Sequence, residues 1–156
     1  MKIEPAKPID AIWIKEKINM EFPYTKLTKE KIEEKITNPK FVVLIAKQEN
    51  IYTGFSELEI FFDKKEARLN GIYVEDAWRD QGIAKEMIAE LIHHCKLNNI
   101  EKIFLLVKTT NEDAKELYKK TKFAFEKIHD KEIEDTLVEV WSQKIPLENH
   151  HRHNSF

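Results

Sequence analysis

Arginine and glycine are both scarce in this chain, three of each against 23 lysines, and one of each meets in Trp78-Arg79-Asp80-Gln81-Gly82-Ile83-Ala84. The stretch stands just before the longest apolar stripe of helical spacing, so it opens a helix. A helix N-terminus presents unpaired N–H groups and a partial positive charge, and small residues there let phosphate oxygens approach the backbone. A helix start that needs a small residue for packing has the same pattern, so the spacing leaves both readings open. A second constellation begins 32 residues after Arg79: Asn111, Ala114, Leu117, Tyr118 and Phe123. Asn111 can cap a helix or bond a ligand. Tyr118 is a core aromatic or a phenol, pKa about 10, able to give a proton to a leaving group. Cys95, the single cysteine, lies on the apolar stripe with no histidine at helical spacing, which reads as core rather than nucleophile. No cluster has metal-ligand spacing, so no metal is expected.

Composition narrows the setting. The chain has 156 residues, 42% apolar and 35% charged, with a formal net charge of −2. One domain with its own core is expected. A surface for nucleic acid would bring a basic excess, which is absent. The longest apolar run, Phe41 to Ala46, is far short of the ~20 residues a membrane-spanning helix needs. The N-terminus shows no leader-like stretch, and one cysteine fits a reducing compartment. A cytoplasmic protein with no membrane or nucleic-acid partner is therefore expected.

The elements that must position these residues follow from periodicity. Lys2 to Ala6 reads as a strand. Asp10 is an expected N-cap for a helix with Ala11, Ile14, Ile18 and Phe22 on one side, and Pro23 ends it. Thr28 opens a second helix that stops at Asn38-Pro39. Strands are expected at Phe41 to Lys47, Ile51 to Phe62 and Glu66 to Glu75, the last two joined by a turn at Asp63-Lys64-Lys65. In the middle strand Glu57 and Glu59 share a face with Phe55 and Phe61. From Gly82 the period turns helical through Cys95. Ile103 to Val107 is a fully apolar strand, and Thr110-x-x-Asp113 has the form of a capping box ahead of a short helix. Strands near Phe123 to Ile128 and Leu137 to Ile145 close the order β-α-α-β-β-β-α-β-α-β-β. This predicts an α/β (α+β) mixed sheet with helices on both faces. Residues 1–146 form the expected domain, and 147–156 an expected disordered His-rich tail.

The two motifs together resemble the GNAT family of N-acetyltransferases. The family pattern Val-x-Pro-x-x-Arg-Gly-x-Gly-Ile-Gly/Ala is met here by Val74, Arg79, Gln81, Gly82, Ile83 and Ala84, and Asn-x-x-Ala-x-x-Leu-Tyr-x-x-x-Gly-Phe by Asn111, Ala114, Leu117, Tyr118 and Phe123. The element order matches too, so the resemblance spans about residues 1 to 145. It implies the acyl-CoA N-acyltransferase fold, a mostly antiparallel mixed sheet. Three positions depart: Asp76-Ala77 lacks the proline, and Asp80 and Lys122 replace glycines.

The resemblance implies roles. Arg79 belongs to the pyrophosphate loop, and backbone N–H groups of Gln81, Gly82, Ile83, Ala84 and Lys85 would hold the pyrophosphate. Ile72, Tyr73 and Val74 would pair with the pantetheine arm, and Asn111 would bond it. Tyr118 would protonate the leaving thiolate. Gly71 lies where such sheets bulge and splay. The strand position where some members carry a basic glutamate is Arg68 here, so the base is sought in Glu57, which a tight hairpin places opposite Gly71, and next in Glu59. The expected activity is direct acetyl transfer from acetyl-CoA to a primary amine. The alternative is a non-catalytic acyl-CoA-binding or interaction module. Phe22-Pro23-Tyr24, Glu57, Glu59, Tyr73 and the acidic turn His129 to Asp135 would line the acceptor groove and favour a cationic peptide or polyamine-like amine. A monomer or homodimer is expected.

Overall fold

The computed structural model describes residues 1–23 and 25–146; Tyr24 and the His-rich tail lie outside the described residues. Apolar residues in period two make seven strands: β1 Lys2–Pro5, β2 Phe41–Gln48, β3 Ile51–Phe61, β4 Glu66–Val74, β5 Lys102–Lys108, β6 Ala124–Ile128 and β7 Val138–Lys144. The helices are α1 Ala11–Glu21, α2 Lys29–Thr37, α3 Ile83–Leu97 and α4 Glu112–Lys120. Short 3₁₀ turns at Pro8–Asp10 and Asp76–Trp78 are added to the expected order. The strands form one sheet in the order β1-β2-β3-β4-β5-β7-β6. Only the central pair, β4 with β5, is parallel.

Alternation sends side chains to two separate cores. Leu44, Leu58, Ile60, Ala67, Leu69, Ile103 and Leu105 meet Ile88, Leu91 and Cys95 of α3 and Tyr118 of α4. On the opposite face Val43, Ile45 and Phe55 meet Ala11 and Ile14 of α1 and Ile32 of α2. Gly54 on β3 lets α3 pack close. A Cβ there would lie 2.5 Å from the Tyr73 carbonyl and 3.2 Å from Met87 Cε. Among the described residues no helix is long and apolar enough to cross a membrane.

Two capping expectations are corrected. Asp10 places no side-chain bond on α1. Its carboxylate, 2% exposed, instead accepts from the Lys7 backbone N–H at 2.8 Å and the Tyr52 hydroxyl at 2.6 Å, with Lys47 at 3.5 Å. These bonds fix the entry to α1 against β2 and β3. The cap of α4 is Asn111, not Thr110: its side chain accepts from the Ala114 N–H. Thr28 caps α2 as expected.

The sheet's most consequential irregularity is in its centre. In the β3–β4 ladder Glu57 faces Gly71 while Leu58 faces Leu69, so Asn70 is bulged. β4 pairs with β5 only from Glu66↔Lys102 to Leu69↔Leu105. Past the bulge β4 stays on β3 as far as Gly54↔Val74, and β5 stays on β7 as far as Lys108↔Val138. The sheet therefore splits into two wings, and the edge of β4 from Gly71 to Val74 faces a gap. Extra twist at a bulge is the physical cause of such parting.

Candidate active site

The loop from β4 to α3 ends at the gap. Asp80 and Gly82 both take left-handed backbone conformations, φ 62° and 82°. The first turn-closing bond of α3 runs from the Glu86 N–H to the Gly82 carbonyl. The N–H groups of Gln81, Gly82, Ile83, Ala84 and Lys85 donate to nothing among the described residues. No side chain caps the helix, since Gly82 is the N-cap. A Cβ at Gly82 would meet nothing within 4 Å, so the cradle is open to solvent. Unpaired donors at the positive end of a 15-residue helix fit a phosphate or pyrophosphate. Asp80 stands where the family pattern has glycine, and its backbone shows why this is tolerated: aspartate enters the left-handed region more readily than most residues. The Arg79 side chain does not reach into the cradle. It donates from Nε to the Val74 carbonyl at 3.0 Å and pairs with Asp76 at 3.1 Å, tying the loop to the end of β4.

The free edge of β4 supplies the next part. A Cβ at Gly71 would touch nothing, and no positive φ demands glycine there. The residue simply leaves space beside the gap. Ile72 and Val74 turn toward α3, and Tyr73 turns toward α1. An extended ligand with amide groups can add to this edge as a strand would.

Across the gap, α4 presents Asn111, Lys115 and Tyr118 at spacings of four and three, hence on one face. The Asn111 side-chain oxygen accepts from the Ala114 N–H, and its side-chain nitrogen makes no bond among the described residues. Tyr118 is 8% exposed. Its core cluster takes Ile72 from one wing of the gap and Val107 from the other. Burial pushes its pKa up to about 12, so the phenol stays protonated and keeps an O–H to donate. The C-terminus of α4 closes tightly around it. Lys122 takes φ 75°, the Phe123 N–H reaches back to the Tyr118 carbonyl at 2.9 Å, and the two rings meet edge to face at 5.8 Å. Lysine thus fills the left-handed position where glycine is usual.

Glu57 and Glu59 lie on the face of α1 and α2, joined in one polar network. Asn70, the bulged residue, donates to Glu57 at 2.6 Å and to Glu59 at 3.3 Å, and its oxygen accepts from Arg68 at 2.6 Å. Lys35 of α2 pairs with Glu57 at 3.3 Å; Lys40 and Arg68 pair with Glu59, each at 3.1 Å. Burial alone would raise the Glu59 pKa. Hydrogen bonds from Lys40 and Asn70 and the nearby Arg68 and Lys40 charges outweigh it and hold the carboxyl below its usual range. Glu59 is thus a weak proton acceptor. Glu57 pairs with Gly71 as expected, but through the bulge: the hairpin, which pairs Phe61 with Glu66, would by itself set Glu57 opposite Asn70. Tyr73 is bonded to Glu75, which pairs with Lys17 of α1. In the turn at 129–135, Glu134 pairs with Lys108, while Asp130, Glu132 and Asp135 stay exposed.

Sequence reasoning missed Asn70, Lys115, Glu139 and Gln143. Asn70 carried one available signal, a small polar residue beside the strand's glycine. The others are joined only by the pairing of β7 beneath α4, which leaves no local signal.

The split sheet, with a helix opening on one wing and a buried tyrosine on the other, is the framework of acyl-CoA N-acyltransferases. An aminoglycoside 6'-N-acetyltransferase complexed with coenzyme A superposes with a TM-score of 0.82 at 15% identity, covering 95% of this chain and 99% of that one. PaiA N-acetyltransferase from Thermoplasma acidophilum, in complex with coenzyme A, gives 0.75 at 20% identity, with 92% and 98% covered. A spermidine N-acetyltransferase SpeG chimera from Vibrio cholerae and hSSAT gives 0.77 at 19% identity, with 92% and 96% covered. No curated protein matches the chain significantly. The model of the acetyltransferase (GNAT) family matches residues 10–123, and the chain belongs to that family.

Proposed function

We propose that the protein transfers an acetyl group from acetyl-CoA to a primary amine directly, within a complex of both substrates. The observation that carries this reading is the gap between β4 and β5, with the uncapped start of α3 at one end and Tyr118 in the core cluster that also includes Val107 of β5 and takes in Ile72 of β4. Acetyl-CoA supplies an activated acyl group as a thioester. The free N–H groups of Gln81 to Lys85 hold its pyrophosphate, the β4 edge from Ile72 to Val74 pairs with the pantetheine amides, and Asn111 donates its amide N–H to the same arm.

Glu57 accepts a proton from the acceptor ammonium, directly or through water, so that a neutral amine reaches the acyl carbon. The carbon–nitrogen bond forms and the carbon–sulfur bond breaks. The second nitrogen proton passes, directly or through water, to the departing sulfur, which ends as a thiol. Tyr118 donates a hydrogen bond to the departing sulfur. With a pKa of about 12 it is a far weaker acid than a thiol, pKa about 8.5. Its contribution is therefore stabilisation of developing negative charge rather than complete transfer of its proton. Cys95, the single cysteine, is no nucleophile for an indirect route: it is fully buried and burial pushes its thiol up to about 12.

Asp130, Glu132 and Asp135, exposed in the turn whose Glu134 pairs with Lys108 at the end of β5, favour a cationic acceptor such as a lysine-containing peptide or a polyamine-like amine. Two of the similar structures are enzymes whose names specify an aminoglycoside and spermidine. Thiol release from acetyl-CoA, measured over a panel of amines and peptides of matched length and different charge, tests the reading. Turnover that favours cations at low salt supports it. Binding of coenzyme A without turnover on any amine would favour a non-catalytic acyl-CoA-binding module.

A further inference from the structure

We propose that Glu139 of β7 is a positioning residue for the transfer: through Lys115 it sets the seat of α4 on the sheet, and so the aim of the Tyr118 hydroxyl. This rests on the reading of Tyr118 given above.

The geometry is specific. β7 places Glu139, Trp141 and Gln143 on one face, opposite Val107, Leu105 and Ile103 of β5 and beneath α4. Trp141 is buried in the core. One Glu139 oxygen accepts from Trp141 Nε1 at 2.7 Å, and the other meets Lys115 Nζ at 2.8 Å. The carboxylate is thus anchored on a core ring and reaches up to the helix. Both side chains are nearly covered, 14% exposed for Lys115 and 11% for Glu139. Four residues further along β7, Gln143 donates to the Thr121 carbonyl at the end of α4 at 2.9 Å. The strand therefore holds the helix at two points, on either side of Tyr118.

Stability does not account for the pair. Exchanging both members of a covered ion pair for neutral or apolar groups of similar size is often neutral or stabilising; Val107 and Trp141 on the same face are apolar, and Lys115 has a second, longer pairing with the exposed Glu112 at 3.6 Å. Directionality is what the pair supplies. Lys115 is four residues after Asn111 and three before Tyr118, so the tether fixes roll and slip of the face that carries both. A shift near 1 Å in such a group can cost about a hundredfold in rate.

The test compares Glu139→Gln, the double variant Glu139→Gln with Lys115→Met, and each in a Tyr118→Phe background. The readouts are kcat, the acceptor KM, the coenzyme A Kd by calorimetry and the melting temperature. Glu139→Gln keeps the bond from Trp141 and guards against a variant that fails to fold. The expected result is a melting temperature lowered in Glu139→Gln, which takes one charge from a covered pair, and largely restored in the double variant; the coenzyme A Kd is held by the α3 and β4 contacts, which α4 does not supply, and kcat falls about tenfold to a hundredfold in both. In the Tyr118→Phe background the same changes cost kcat nothing further, because the group they aim is gone. Full kcat in the double variant, or losses that multiply with Tyr118→Phe, would overturn the proposal. If Tyr118→Phe alone leaves kcat intact, the reading of Tyr118 falls, and this proposal with it.

Discussion

The N-termini of α3 and α4 stand on the two wings of one gap and are finished in opposite ways. α4 is closed: Asn111 caps its start, Lys122 and Phe123 fold back over its end, and β7 tethers its middle. α3 is open: its N-cap is a glycine, and five successive N–H groups have no partner among the described residues. Unsatisfied donors lower the stability of a helix end, and a side-chain cap contributes about 1 kcal/mol. The same fold supplies such caps at α2 and α4, though not at α1, and the bare end of α3 is the one that we propose a ligand completes. In the proposed reading the closed helix serves a different need, holding one hydroxyl in place.

The largest expected effect follows from filling the open end. Gly82→Asp puts a side chain and a negative charge where the anion belongs, and binding of coenzyme A should be lost. Wild type at a ligand concentration of a hundred times Kd gains about 2.7 kcal/mol of stability, read as a rise in melting temperature, and the variant should gain nothing. Gly82→Asn separates the causes, because asparagine also tolerates the left-handed backbone. A normal thermal shift in Gly82→Asp would show that the open end is not the ligand site.

The closed helix should respond to acid. Burial would raise the Glu139 pKa, but bonds from Lys115 and Trp141 and the Lys115 and Lys119 charges outweigh it and hold it below the usual value of 4.5. A carboxyl depressed in the folded state stabilises the fold fully above its unfolded pKa, and that contribution is lost as pH falls through the folded value. Unfolding free energy should therefore fall below about pH 4.5. Denaturant titrations across that range should show a shallower fall in Glu139→Gln. Equal slopes would remove Glu139 from the account of acid sensitivity.

The contrast between the two helices was only half legible in the sequence. The open end could be read because its conformation is local: one glycine, small neighbours and an apolar stripe behind them. A turn confined to Asp63-Lys64-Lys65 predicts the pairing of Glu57 with Gly71, but the strands pair from Phe61 and Glu66, and the bulge at Asn70 makes up the missing residue. The closed end was hidden. Thr110 and Asn111 are both good capping residues one position apart, and only the backbone decides between them. Lys122 and Asp80 looked like departures from a glycine pattern, yet both adopt the left-handed conformation that glycine would. Asp10 resembled a cap because its partners, Lys47 and Tyr52, arrive from distant strands. Glu139 and Lys115 are 24 residues apart with β6 between them, and no spacing rule joins them.

Two smaller effects should sharpen the picture of the closed helix. Asn111→Ala removes the cap and should cost about 1 kcal/mol of stability. If its free amide also bonds the pantetheine arm, the Kd for coenzyme A rises together with the loss of stability. Lys122→Gly relieves a non-glycine residue at positive φ, a strain of about 1–2 kcal/mol, against the extra chain entropy of glycine, roughly 0.4–1 kcal/mol. The net expectation is a gain of about 0.5–1 kcal/mol in denaturant unfolding. A loss instead would mean that the Lys122 side chain makes a contact worth more than the strain.

The smallest expected effect lies back at the open end. Asp80 is exposed and brings a carboxylate into a loop built for an anion. Asp80→Asn keeps a residue that tolerates φ 62° and removes only the charge. Two like charges about 4 Å apart in water interact by about 1 kcal/mol, and less when screened. The variant should therefore keep its melting temperature and bind coenzyme A about two- to threefold more tightly at low ionic strength. At 1 M salt, where the screening length is about 3 Å, the two proteins should bind alike. Weaker binding in Asp80→Asn at low salt would reverse the assignment: the carboxylate would then be accepting a hydrogen bond from the cofactor, and the departure from glycine would be a contact rather than a tolerated charge.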